Sequence, residues 1–512
     1  MGWDKVVAEV KHQLPQFNDD LLINFRKTQV NSAPEFMDKV FSESVRTIQN
    51  RAPLNYIGYR ILKPDEQAAF VLGSTTSKDR VNIQRSELQL CEYVFEFEGE
   101  RIPVYLFLPY LFNNKIVIND TEYCVLNNII DRLIVRITEG VIVKVMKQPI
   151  NFWRNKRYSY KSVDGVEYHD TLITVKAYGG KKTSNIDVTV VLYLLAEYGF
   201  EQAMRMLSVS SISFVDAPVP DDEVYSYFKI DDGIYLKTSS EDMLNTPYRR
   251  IVASILYSLT NFTDCILSLA DTYQPEIYRM ILGKCHHGKD YKATLAAGHC
   301  ESHLESLRTY LDEITKNKFY LEKRIPIENI FQLFVYVFYN IDDWLVGYSP
   351  NDLFEKRLGG IDSLLMHMVE MINNKFYATI QKNKQLKIKQ IRKTLKFNPM
   401  AIANIYKSQG VQSKPSVYND NELFSMLIKR VRPLSSSKSS RSKSGNLIQS
   451  KEHQFNPSFI AIESAWAISS SSPGISGDMN PFAVIDESGR FRKDLMPWYK
   501  YIESLSKYLV QI

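Results

Sequence analysis

The chain has 512 residues, 45% hydrophobic and 24% charged, a balance typical of globular proteins that excludes a disordered or collagenous one. At that length about two to four compact units are expected rather than one core. A formal net charge of only +5 falls short of the basicity of a free-standing DNA binder, so any nucleic-acid contact has to come from local patches.

Along the chain, Trp3 to Asn50 reads as helical, broken at Pro15 and Pro34, with Met37, Val40, Phe41 and Ile48 on one face. From Tyr56 to Trp153 the pattern turns to strands. Val94-Phe95-Glu96-Phe97 alternates in part, and Val104-Tyr105-Leu106-Phe107 is a short apolar run of the kind a buried strand uses. A hairpin is predicted with strands Ile134 to Ile137 and Val141 to Val145, its turn Thr138-Glu139-Gly140 drawing a positive φ from the glycine. Thr174 to Ala177 and Val188 to Leu192 read as strands around the loop Gly179-Gly180-Lys181-Lys182, and Leu194, Leu195, Tyr198, Ala203 and Leu207 as a helix. Past the Pro- and Asp-rich loop Asp216 to Asp222, helices are predicted from Tyr248 to Leu282 and from Ile327 to Phe338.

At Ser349-Pro350-Asn351 a turn precedes a predicted helix, because proline does not continue a helix while Asn and Asp accept orphan N–H groups. Lys356 and Arg357 are thereby set near a helix start. The stripe Ile361, Leu364, Leu365, Met368, Met371, Ile372 and Phe376 is expected to bury one face and anchor that pair. The run from Lys382 to Lys396, with Ile388, Ile391 and Leu395 between its cations, reads as a basic amphipathic helix that either tracks a nucleic-acid backbone or faces water. Phe397-Asn398-Pro399 marks a turn into a short helix ending near Gly410. A second basic cluster follows, next in density to that from Lys382 to Lys396: Lys429, Arg430, Arg432, Lys438, Arg441, Lys443 and Lys451, around the low-complexity run Ser435 to Ser444. It suits phosphate contacts or a solvated loop.

Cys285, His286, His287, His299, Cys300 and His303 gather half of the 8 histidines. Cys285 with His287 and Cys300 with His303 could supply four zinc ligands, but their spacing fits no standard finger, and surface histidines with buried thiols are the plainer reading. The adjacent pairs Asp19-Asp20, Asp221-Asp222, Asp231-Asp232 and Asp342-Asp343 read as surface turns. No phosphate loop, His-Glu-x-x-His or Gly-x-Ser-x-Gly occurs. Five cysteines without regular spacing point to reduced thiols. Met1-Gly2-Trp3-Asp4-Lys5 lacks a signal-peptide pattern, and the most apolar runs, 102–112 and 330–339, are shorter than the roughly 18 residues that span a bilayer. A soluble, intracellular protein without a membrane partner is expected.

Three motifs together resemble the β subunits of multisubunit DNA-directed RNA polymerases, and they occur in that family's order. Ile116-Val117-Ile118-Asn119-Asp120-Thr121-Glu122 is similar to a strand-turn-strand that the family writes Phe-x-Ile-x-Gly-x-Glu, with Asp120 in place of glycine. Lys356, Arg357, Leu358 and Leu364-Leu365 match the family's Lys/Arg-Arg and Gly-x-Leu-Leu spacing, with Asn351 in the acidic place and Asp362 where the family has glycine. Ser440-Arg441-Ser442-Lys443, Asn456-Pro457-Ser458 and Asn480-Pro481-Phe482-Ala483-Val484-Ile485-Asp486 resemble the fork lining the active-site channel. The Arg-Ser-Pro-Gly that usually follows the first motif is missing, and Ser469 to Gly474 replaces the fork's acidic turn.

The resemblance implies an α+β, multi-lobed fold. Residues 1–160 would form a protrusion-like α+β region, 161–315 a lobe-like mixed region, 316–430 a mainly helical return to protrusion and fork, and 431–512 a fork-like segment with a C-terminal tail. A full β subunit continues beyond the fork, so the resemblance further implies an N-terminal half-subunit of the split kind found in giant phages. Its partners would be the C-terminal β half, the β′ chains, DNA template, RNA product and a promoter-specificity subunit. It would act in the cytoplasm of an infected bacterium, packaged in the virion or not. The catalytic Mg2+ belongs in this family to an Asp-x-Asp-x-Asp motif of β′, which this sequence lacks, so no catalytic or metal residue is expected here. Arg441 and Lys443 are the leading candidates for nucleic-acid contact, with Lys438, Arg432 and Lys451 beside them; Lys356 and Arg357 either contact it or brace the fold through ion pairs. The alternative is a virion structural or interaction protein without transcriptional function.

Overall fold

A computed structural model of the chain describes residues 33–46, 53–74, 86, 88–110, 116–125, 128–146, 149–176, 186–219, 223–347, 352–359, 365–382, 386–402, 411–413, 432–433, 458–464, 478–480, 483–486 and 488–496. The fold is α+β with small, mainly antiparallel sheets. Two compact units emerge: Met1–Arg132, Leu321–Lys323 and Asn351–Ile512 form the first, and Leu133–Tyr320 and Arg324–Pro350 the second.

In the first unit, α1 (Ala33–Arg46) carries Pro34 in its opening turn and buries Met37, Val40 and Phe41, as their spacing predicts. Phe41 packs on Tyr56, Tyr93 and Phe95 of a sheet built from β1 (Leu54–Ile61), β2 (Leu88–Phe97) and β3 (Glu100–Pro109). Helix α2 (Pro64–Ser74) interrupts the stretch that reads as strands. It has Pro64, Asp65 and Glu66 at its start, but no apolar stripe to betray it. Strands β4 (Ile116–Ile118) and β5 (Thr121–Val125) form the expected strand-turn-strand. Asp120 sits at φ 63°, the left-handed conformation that glycine adopts most readily, so the turn survives the exchange of its glycine. Strand β6 (Asn128–Asp131) follows.

The second unit begins with β7 (Ile134–Ile137), β8 (Gly140–Val143), β9 (Ile150–Lys161) and β10 (Glu167–Lys176), side by side in one sheet. The hairpin is where the sequence puts it, but Gly140 pairs with Ile137 inside the ladder and has no positive φ. Its absent side chain instead lets the backbone of Phe152 approach, since a Cβ there would meet the Phe152 carbonyl oxygen.

Val188 to Leu192 is not a strand. Thr189 caps α3 (Val190–Met206) by accepting the Leu192 N–H, and only a single bridge joins Thr189 to Thr174. A sheet of β11 (Ser213–Val215), β12 (Tyr225–Asp231) and β13 (Ile234–Ser239) comes next. Helices α4 (Thr246–Thr260), α5 (Pro275–His287), α6 (Ala293–Arg308), α7 (Glu313–Lys323) and α8 (Ile330–Leu345) complete the chain's middle, the last three residues of α7 belonging to the first unit. One apolar cluster unites the second unit, with Phe152, Tyr193 and Phe334 in ring contact at its centre. Asp342 is no surface turn: it lies on α8 and bridges Arg154 and Arg250.

Returning to the first unit, the chain forms β14 (Lys356–Gly359), α9 (Met366–Lys382), α10 (Ile388–Leu395), β15 (Val411–Ser413), β16 (Arg432–Pro433), α11 (Ser458–Ile462), β17 (Glu463–Ser464) and β18 (Asp478–Met479). Helix α9 buries Met368, Ile372 and Phe376 of the predicted stripe, with Leu365 just before it, and Val369 besides; Met371 is only half-buried, and Ile361 and Leu364 lie outside the described residues. Helix α10 buries Ile391 and Leu395 and exposes Lys389, Arg392 and Lys393, of which Arg392 pairs with Glu100. Among the described residues no helix is long and apolar enough to cross a membrane.

Candidate nucleic-acid interface

Described parts of the second and third motifs converge on one small core of the first unit, although they are far apart in sequence, while the first motif, on β4 and β5, pairs in a separate sheet with β15. Strand β6 is the centre of that core. Antiparallel β14 pairs Lys356 with Asp131 and Leu358 with Ile129, while β16 runs parallel on the other edge, opposing Arg432 to Asn128. Ile129, Leu353, Phe354 and Leu358 pack with Ala461 and Ile462 of α11 and with Ala483, Val484, Ile485 and Phe491. Buried together, these side chains leave water as one unit, the dominant favourable term in closing such a core.

Backbone contacts lock the same pieces. The Leu353 N–H donates to the Ser458 hydroxyl at 2.8 Å, and the Leu358 N–H to the Gly489 carbonyl at 2.7 Å. Gly489 is at φ 79°, and a Cβ there would lie 2.5 Å from the Leu358 oxygen. Only glycine fits a left-handed position so close to a neighbouring strand. Asp486 Oδ1 gathers the N–H groups of Ser488 and Arg490, closing the turn that brings Arg490 to a bridge with Arg357.

Lys356 and Arg357 depart from expectation. Asp352 does cap a turn, accepting the Phe354 N–H, but that turn is a single 3-10 turn, Leu353–Glu355, and the two cations stand on β14 rather than at a helix start. They are held by strand pairing and not by the stripe on α9. Lys356 Nζ reaches Asp131 Oδ1 at 2.5 Å, with the aspartate side chain only 2% exposed. Of the two roles open to Lys356, this contact is the bracing one.

Arg432 is on β16, while Lys438, Arg441, Lys443 and Lys451 lie outside the described residues. The described residues on either side of that basic run, Pro433 and Ser458, both belong to the motif core: Pro433 pairs with Ile129, and Ser458 accepts from Leu353.

Three cations that sequence patterns do not single out flank this core. Arg132, directly after β6, has a side chain 9% exposed, with Glu322 at 3.7 Å and Glu355 at 3.6 Å. Burial and then the positive charge of Arg132 push the Lys323 ammonium down to about 8. The same two causes depress Arg490. The three come from distant parts of the sequence; only the fold makes them neighbours.

The histidine and cysteine group belongs to the second unit. Cys285 and Cys300 are buried, and Tyr193 Oη lies 3.0 Å from His303 Nε2 and 3.4 Å from His286 Nε2. Burial, and then His286, hold the His303 imidazole down to about 3. His287 stacks on Tyr291 and lies against His299. Among the described residues no three His, Cys, Asp or Glu side chains are placed to hold a metal ion, so Cys285, His287, Cys300 and His303 do not make the zinc site their types allow. Helices α5 and α6 pack these rings for structure.

A family model described as "Non-virion RNA polymerase subunit" matches residues 4–494. No curated protein sequence matches the chain.

Proposed function

The chain belongs to the non-virion RNA polymerase subunit family, and on that premise we propose that it is the non-catalytic N-terminal part of a split β subunit in a phage multisubunit enzyme. The virion structural protein without transcriptional function has no support from this membership. The observation that carries the β reading is the motif core itself: Leu358 of the Lys-Arg motif shares one apolar cluster with Ala483, Val484 and Ile485, and Ser458 of the Asn-Pro-Ser element accepts a hydrogen bond from Leu353 of that cluster. Chance motifs have no reason to meet.

On this reading, β6, β14 and β16 form a base, and the basic run from Lys438 to Lys451, which follows β16 in sequence, serves nucleic-acid contact. Arg441 and Lys443 contact phosphates where template and non-template strands part, and Lys356 braces the base through Asp131. Template-directed nucleotide addition uses two metal ions, which activate the attacking hydroxyl and steady the leaving pyrophosphate. By the resemblance to β subunits, the reading assigns Mg2+ to an Asp-x-Asp-x-Asp motif of a β′ chain. The other partners are the C-terminal β half, template, transcript and a promoter-specificity subunit, in the cytoplasm of the infected host.

The test is isolation of the full chain from its native setting, followed by mass spectrometry of the intact assembly. The expected result is a stoichiometric complex with a chain bearing Asp-x-Asp-x-Asp; a self-contained monomer would sink the reading. Within the assembled enzyme, Arg441→Ala with Lys443→Ala is expected to flatten the salt dependence of DNA retention by about two, at roughly 0.9 for each phosphate that is no longer neutralised. An unchanged slope rejects those two residues.

A further inference from the structure

We propose that Arg132, Lys323 and Arg490 form a binding site for a phosphate group beside the motif core. No motif contains them, and the β reading does not call for them. They come from three places: Arg132 leaves β6, Lys323 ends α7, and Arg490 follows the tight turn at Gly489. All three belong to the first unit.

The local acids do not saturate the two arginines. Glu322 and Glu355 stand 3.7 and 3.6 Å from Arg132, too far to accept a hydrogen bond from it, and Arg132 Nε is buried without a hydrogen-bond partner. Arg490 Nε is likewise buried and unsatisfied. Asp486, whose charge Arg490 feels, spends Oδ1 on two backbone N–H groups and the Ser488 hydroxyl, while Arg492 is taken by Asp494. The three cations feel one another, since Arg132 resists the charging of both Lys323 and Arg490.

A partly buried cluster of this kind is completed by an anion with several acceptor oxygens. Phosphate suits it, because a guanidinium presents a planar fork of donors to two of its oxygens while an ammonium adds a point charge. Glu322 and Glu355 then serve to hold Arg132 in place. The phosphate is either a free anion or a phosphodiester of a nucleic-acid backbone, and only the second source rests on the polymerase reading.

The experiment is calorimetric titration of the full chain at constant ionic strength, with inorganic phosphate in one arm. The other arm uses a short single-stranded oligonucleotide and its uncharged methylphosphonate analogue. Wild type and a Lys63→Gln control are expected to bind phosphate alike, Arg490→Gln at least tenfold more weakly, and Arg490→Lys in between. Binding at pH 8 should also take up protons as Lys323 regains its charge, an effect that Lys323→Gln abolishes even if an Arg490 variant fails to fold. Binding of the oligonucleotide but not of its neutral analogue, with the same Arg490 dependence, identifies the backbone as source. Equal phosphate affinity in wild type and Arg490→Gln overturns the site, as does a wild type that binds neither probe. Either failure leaves the co-purification test of the polymerase reading intact.

Discussion

The two units bury their side chains in opposite ways. The second takes nearly all its residues from one stretch of chain and closes on a single large cluster of aromatic and aliphatic groups, with Phe334 in ring contact with both Phe152 and Tyr193. The motif core of the first unit is small and collected from 128–131, 352–359, 432–433, 458–464 and 483–496, with charged residues at its edge. Large loops between such pieces cost closure entropy that short-range packing avoids. A core assembled that way depends more on specific contacts and less on bulk burial. The comparison teaches where each unit should break.

The largest effect is expected in the second unit. Phe334 is fully buried against Phe152, Tyr193 and Phe331, so Phe334→Ala should cost about 3–5 kcal/mol. Hydrogen exchange read by mass spectrometry should rise across 133–350 and leave 352–359 protected. Equal loss of protection in β14 would abolish the distinction between the units.

Next comes the ion pair on β14. Lys356→Met leaves a buried aspartate without its cation, at a cost of about 3 kcal/mol, and Asp131→Leu added to it should restore most of that. Here exchange should rise at 128–131 and 352–359 alone. If Lys356→Met leaves protection untouched and weakens DNA retention in the assembled enzyme, Lys356 is a nucleic-acid contact and not a brace.

Gly489→Ala ranks third, at about 2 kcal/mol, because a left-handed alanine is strained and its Cβ points at the Leu358 carbonyl. Gly283→Ala is the control from the other unit. It has no positive φ, but its Cβ would meet the Ala296 backbone between α5 and α6. The first substitution should loosen β14, the second only the packing of α5 on α6, as separate exchange patterns would reveal.

How much of this was legible depends on the range of the contact involved. The stripe of Leu365, Met368, Ile372 and Phe376 and the hairpin from Ile134 to Val143 follow from local periodicity, and both are present. Val188 to Leu192 misleads because β-branched residues suit a buried helix start as well as a strand, and Thr189 decides the matter by capping. Nothing near Lys356 announces a strand, since its partner β6 lies more than two hundred residues earlier. The same holds for the Ser458 hydroxyl, whose donor Leu353 is 105 residues away. The order of the motifs hinted at convergence; the neighbourhood of Arg132, Lys323 and Arg490 left no local trace.

The smallest effect is a difference in pH response: stability rises with pH in both units, but in separate windows, acidic for the second and alkaline for the first. His303 in the second unit is held neutral, down to about 3, by burial and by His286. The unfolded chain binds that proton near pH 6.5, so stability is full above 6.5 and falls as the pH drops from there towards 3, by at most about 1.4 kcal/mol per pH unit. Lys323 in the first unit is pushed down to about 8. An unfolded lysine keeps its proton to about 10.4, so burial penalises the first unit below pH 8, and the penalty lifts as the pH rises from 8 towards 10.4. Exchange protection corrected for intrinsic rates should therefore fall on acidification in α5 and α6 and rise on alkalinisation around β6 and β14. His303→Phe should flatten the first trend and Lys323→Met the second, each leaving the other unchanged. A single variant that flattened both would mean that the units share one stability, and the contrast between a burial-held and a contact-held core would be wrong.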